Sequence, residues 1–99
     1  MPAIPFALSL GLLLIVLVPR APAWAATCAA EAVSARGDPS RFEVLAKAKA
    51  RGNWRAKVRA MPTLGASYAD YNKAQDASYR CTQEDGKYTC TAGGRPCQD

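Results

Sequence analysis

Histidine does not occur among the 99 residues. Its absence removes the usual base of Ser-His-Asp and Cys-His nucleophile pairs, and the commonest metal ligand with it. Cysteine occurs four times, at Cys28, Cys81, Cys90 and Cys97, and no two stand at the two-residue spacing of a zinc knuckle. Acidic residues are missing altogether between Glu43 and Asp70. The carboxylates that do occur have other employment. Asp85 falls in a turn, Glu84 faces Lys87 across a hairpin, and Glu43 opens a helix, while Asp70 and Asp76 point to different sides. No pair is placed as an acid and a base, so catalysis is not expected, and neither is a metal or a cofactor.

Long hydrophobic runs are also scarce. The one candidate, Phe6 to Val18, has the length of a signal-peptide h-region and is short for a bilayer span. Pro19 and Pro22 follow it, and Ala23-Trp24-Ala25 then supplies small residues where a signal peptidase reads them. The n-region has no Lys or Arg, which leaves a retained anchor as the competing interpretation. Lipid attachment at Cys28 fits poorly, because Ala-Ala-Thr precedes it and three cysteines would remain. The expected organisation is therefore a signal peptide over residues 1–25 and one small domain over 26–99. Removing the leader takes away one base, Arg20, and no acid, leaving a net charge of +4. The expected destination is periplasmic or secreted, where disulfides persist.

The hairpin fixes which disulfides form. Asp85-Gly86 between alternating residues is a strong signal for a type I′ turn, which needs φ > 0 at both central positions. Counting outward pairs Glu84 with Lys87, Gln83 with Tyr88, Thr82 with Thr89 and Cys81 with Cys90. Cys81 and Cys90 then form a pair without ladder hydrogen bonds, about 4.5 Å apart at Cα and close enough to bridge. Cys28 and Cys97 remain for each other. On one face of the hairpin lie Tyr79, Cys81, Gln83, Tyr88, Cys90 and Ala92; the other face is polar.

Upstream, residues 28–36 read as a first strand and Gly37-Asp38-Pro39 as a turn. Ser40 and Glu43 have the spacing of a capping box. From there Phe42, Ala46, Ala50, Trp54, Val58 and Met61 form one apolar stripe of a helix that Pro62 terminates. Leu64, Tyr68 and Tyr71 predict a second, shorter helix over about Ser67 to Ala77, and Gly93-Gly94 should loosen the last strand. The expected fold is α+β, a two-layer βαββ or αββ unit with helices packed on the C-terminal hairpin and stapled by disulfides.

Ala46, Ala50, Trp54, Val58, Leu64-Gly65, Tyr68, Tyr71, Ala74, Cys81, Gly86, Cys90, Gly94 and Pro96-Cys97 resemble a pattern in small exported bacterial proteins of uncharacterised function. The resemblance spans about the last half of the chain. It implies export from a bacterium and a disulfide-held fold, and it implies no activity.

Two functional classes follow. The first is a structural or protein-interaction module of the cell envelope. The second is a cationic module that docks on lipid headgroups or polysaccharide through Lys47, Arg51, Arg55 and Arg59, which step by four beside the apolar stripe. Specific nucleic-acid binding is not expected. Arg36-Gly37-Asp38 spells an integrin-binding tripeptide, but it also reads as a charged turn. The exported protein should have the mass of a chain beginning at Ala26, and non-reducing peptide mapping should return Cys81–Cys90 and Cys28–Cys97. A mass that retains Phe6–Val18, or a Cys90–Cys97 peptide, would overturn the leader or the register.

Overall fold

The computed structural model describes residues 27–99. The leader and its cleavage site lie outside these residues. The chain enters through a short strand β1 (Thr27–Cys28) and strand β2 (Val33–Arg36), then forms helix α1 (Glu43–Arg59). Two 3-10 turns (Ala66–Tyr68 and Tyr71–Lys73) lead into β3 (Gln75–Glu84), β4 (Lys87–Arg95) and β5 (Cys97–Gln98). β2, β4 and β3 make an antiparallel sheet in that order, with β4 in the centre, and β1 pairs with β5 in a separate two-stranded clasp. With one helix packed on strands, the unit is α+β.

Asp85 (φ 53°) and Gly86 (φ 72°) both take positive φ, the requirement of the type I′ turn. The register follows residue for residue, from Glu84 opposite Lys87 to Cys81 opposite Cys90. Cys81–Cys90 is bonded with its Cα atoms 4.0 Å apart. Cys28–Cys97 ties β1 to β5, and all four cysteines are thereby paired. Around this clasp, Arg95 Nη1 donates to the carbonyls of Ala29 (3.3 Å) and Ala30 (2.6 Å), and Pro96 is buried.

The core lies between α1 and the sheet. Ala46, Ala50, Trp54 and Val58 are fully buried, and they meet Val33, Ala35, Cys90 and Ala92 from the strands. Trp54 is the largest of these. Its Nε1 donates to the Val33 carbonyl at 3.0 Å, so burial leaves no orphaned donor. A tryptophan removes about 150–250 Å² from water, worth roughly 4–6 kcal/mol at about 25 cal/mol per Å². Tyr71 sets its ring edge-on to Trp54 at 4.9 Å between centroids and leans on Tyr79 at 5.6 Å.

Four local expectations require correction. No helix spans Ser67–Ala77: Asp70 is extended and its side chain accepts from the Asn72 amide, which splits the segment into two short turns. This is the side-chain competition with helical backbone that Asp commonly offers. Tyr71 is nevertheless buried, with its hydroxyl donating to the carbonyls of Ser78 (3.0 Å) and Gly93 (2.8 Å). The capping box does not form, because Ser40 bridges to Tyr88 as a strand residue and Phe42, in extended conformation, becomes the N-cap. Phe42 therefore leaves the buried stripe and is 63% exposed. Third, residues 28–36 make two strands that belong to different sheets. Last, Gly93-Gly94 stays within β4, where a Cβ on Gly94 would sit 3.0 Å from that of Ala74.

Two glycines separate conformation from space. A Cβ on Gly37 would fall 2.5 Å from the Ala50 amide nitrogen, so this strand end can lie on α1 only as glycine. Gly52, inside the helix, has nothing within 4 Å of a built Cβ. Gly37→Ala is expected to destabilise by about 1–3 kcal/mol through overpacking against backbone. Gly52→Ala should stabilise by about 1 kcal/mol through helix propensity. Denaturant unfolding of the two variants checks the opposite signs.

Candidate interaction surface

With Ala46, Ala50, Trp54 and Val58 facing the sheet, the periodicity of α1 assigns its polar residues to two flanks. One flank carries Lys49, Asn53 and Lys57. It lies over β2, which is an edge strand whose Ser34 and Arg36 carbonyls turn away from β4. Lys57 Nζ donates to the Ser34 carbonyl at 2.7 Å, Asn53 Nδ2 to the Arg36 carbonyl at 2.8 Å, and Lys49 Nζ to the Pro39 carbonyl at 3.4 Å. The helix thus supplies the donors that a neighbouring strand would have offered to the Ser34 and Arg36 carbonyls, while the outward amides of these two residues have no acceptor among the described residues.

The other flank carries Lys47, Arg51, Arg55 and Arg59, the four cations proposed above to dock on anionic surfaces. They do not form a uniformly solvated stripe. Arg51 Nη1 donates to the Tyr79 hydroxyl at 3.0 Å, and the Lys47 ammonium stands 5.6 Å from the Tyr79 ring centroid. Lys47, Arg51 and Arg55 are half-buried and Arg59 is exposed. Arg55 and Arg59 make no hydrogen bond or ion pair among the described residues. Two members of the set are therefore committed to a tyrosine on β3, and two are free.

Tyr79 sits on the far edge of the sheet. Because Cys81 and Cys90 are a pair without ladder bonds, the amides and carbonyls of Tyr79, Cys81 and Gln83 point away from β4. Among the described residues none of these groups is hydrogen-bonded by another segment. The helix occupies the outward carbonyls of one sheet edge and leaves those of the other open.

The sheet face opposite α1 is polar throughout. Ser34, Ser78, Arg80, Thr91 and Gly93 line a shallow hollow of about 140 Å³ there. Burial raises the Tyr71 phenol above its ordinary range, and the neighbouring Tyr79 adds to the effect. At the exposed C-terminus, Lys73 and Asp99 form an ion pair at 2.6 Å, and the hydrogen bond raises the Lys73 ammonium. The Arg36-Gly37-Asp38 tripeptide is no protruding loop. Its glycine is buried on Ala50, and the Arg36 carbonyl is held by Asn53.

No group of three or more potential metal ligands occurs among the described residues, and no helix there is long and apolar enough to cross a membrane. No protein-family model matches the chain, and neither a curated protein nor a solved structure is significantly similar to it.

The sequence reading missed the second polar flank and the role of Tyr79. The signal for the first was present, since Lys49, Asn53 and Lys57 also step by four. Tyr79 gave none, because nothing local says which helix flank will overhang which strand. Arg51→Glu should lose the Tyr79 hydrogen bond and bring a carboxylate to a half-buried site, costing about 1–3 kcal/mol. Arg55→Glu should cost under about 1 kcal/mol, because half-buried Arg55 has no hydrogen bond or ion pair to lose. Thermal unfolding of the single variants resolves them; equal losses would mean that both arginines are packed alike.

Proposed function

We propose that this chain is a small, non-catalytic, exported module of a bacterial cell envelope that binds another protein through the free edge of β3. What carries this reading is the inequality of the two sheet edges. Both outward carbonyls of the β2 edge are taken by Asn53 and Lys57, whereas Tyr79, Cys81 and Gln83 leave their outward carbonyls and amides alike open. An exposed strand edge is a template for another chain, and folds commonly block it when it serves no purpose. Two disulfides brace the fold, and one of them, Cys81–Cys90, ties the edge strand to β4, which lowers the ordering cost of association. They also suit an oxidising compartment, and release by cleavage after Ala25 into the periplasm or beyond belongs to the same proposal.

Docking on lipid headgroups or polysaccharide has less support. Lys47 and Arg51 reach Tyr79, and Lys49 and Lys57 reach backbone carbonyls. These contacts keep the charges but hold Lys47 and Arg51 at the β3 edge, so that only Arg55 and Arg59 of the original four make no contact with a strand.

A photoreactive side chain at Gln83 should crosslink to one protein of defined mass in the envelope of the producing cell. The same group at Ala56, on the outer face of α1, should not. Crosslinking to lipid alone, or equally from both positions, would overturn the reading.

A further inference from the structure

The edge of β3 has a charge pattern as well as free hydrogen-bonding groups. Lys47 and Arg51 overhang it at Tyr79, and Arg55 follows one turn later on the same flank. Arg80 projects from the opposite face of the same strand, beside Thr91. The acidic residues of the hairpin stand towards the ends, Glu84 and Asp85 at the turn and Asp76 at the start of the strand. The middle of the edge is therefore cationic on both faces.

We propose that the free edge of β3 takes up an extended, acidic segment of a partner protein as an added strand, with carboxylates beside Lys47, Arg51 and Arg55. This rests on the protein-module reading and adds the partner's chemistry. Main-chain bonds to Tyr79, Cys81 and Gln83 supply the affinity, and side chains alternating to either face supply the selectivity. Carboxylates on the helix side meet the guanidinium donors that Arg51 does not spend on Tyr79, together with those of Arg55.

Other occupants fit less well. A second copy of the chain, paired antiparallel about Cys81, would set Arg80 against Thr82 with no carboxylate opposite it, and paired about Arg80 would set Arg80 against Arg80 and Asp76 against Glu84. Such like-charge pairs across strands are destabilising. A lipid surface or polysaccharide could use the cations but not the alternating backbone donors and acceptors.

The test uses the oxidised protein and an acetylated, amidated octapeptide of alternating glutamate and threonine, followed by amide resonances and hydrogen exchange. The amides of Tyr79, Cys81 and Gln83 should shift and gain protection, while those of Arg80 and Thr82, already in the ladder, change less. Replacing the glutamates by glutamine should weaken binding about tenfold or more, as should Arg55→Glu. N-methylating alternate peptide nitrogens should abolish it. Gln83→Pro removes an outward amide and no ladder bond, so it should block the peptide while leaving the thermal midpoint close to that of the parent. Should Gln83→Pro fail to fold, Arg55→Glu and the N-methylated peptide decide the matter.

The proposal is overturned if the N-methylated peptide binds as well as its parent, or if shifts are confined to Ser34, Arg80 and Thr91 on the open face. Concentration-dependent self-association that Gln83→Pro abolishes would overturn it in favour of a second copy. A protein crosslink from Gln83 without any binding of the acidic octapeptide would remove the acidic partner and leave the module reading intact.

Discussion

Helix α1 can lie close on the sheet because two of its four inward positions, Ala46 and Ala50, carry only a methyl group. Gly37 completes the fit, since any side chain there would collide with the backbone at Ala50. Close approach seats Trp54 and Val58 in the remaining space. It also brings the helix flanks down level with the strand edges. The contacts of both flanks depend on that close approach.

Edge coverage is unequal for a reason that lies in strand length. β2 has four residues, and two side chains on a 17-residue helix suffice to reach both of its outward carbonyls, with a third at the turn beyond. β3 has ten residues and is longer than the flank above it can serve. Tyr79 fills part of the gap by drawing Lys47 and Arg51 towards it, which uses an aromatic face and a hydroxyl in place of backbone groups. The backbone of β3 stays available, and the cations held over it give that availability a sign.

The disulfides act on different scales. Cys81–Cys90 closes a loop across a sequence separation of 9 and Cys28–Cys97 one across 69. In the chain-entropy picture these contribute roughly 2.7 and 4.4 kcal/mol. A domain of this size draws only about 3–5 kcal/mol of net stability from its core alone once chain entropy is set against it, so the longer bridge is comparable to that net value. It works at the β1–β5 clasp, where Arg95 and Pro96 hold the entering chain against the last strand. The shorter bridge works within the hairpin and lies beside the open edge.

Local chemistry determined a good deal of this protein. Asp85-Gly86 set the hairpin register because the type I′ turn admits few other residues, and the register chose both disulfides. The four-residue step from Ala46 to Val58 marked the buried stripe, and Pro62 marked its end. Where the sequence misled, another contact, local or distant, had overridden the preference that the spacing suggested. Ser40 has the chemistry of a cap but pairs with Tyr88, a residue 48 positions away. Leu64, Tyr68 and Tyr71 have helical spacing, but the turn that Asp70 makes and the carbonyls that Tyr71 reaches settle the backbone there. The candidate surface belongs to the same class. That Lys47 and Arg51 meet Tyr79, and that the helix occupies the outward carbonyls of one sheet edge and not those of the other, depends on how a helix sits across three strands, and no window of sequence contains that information.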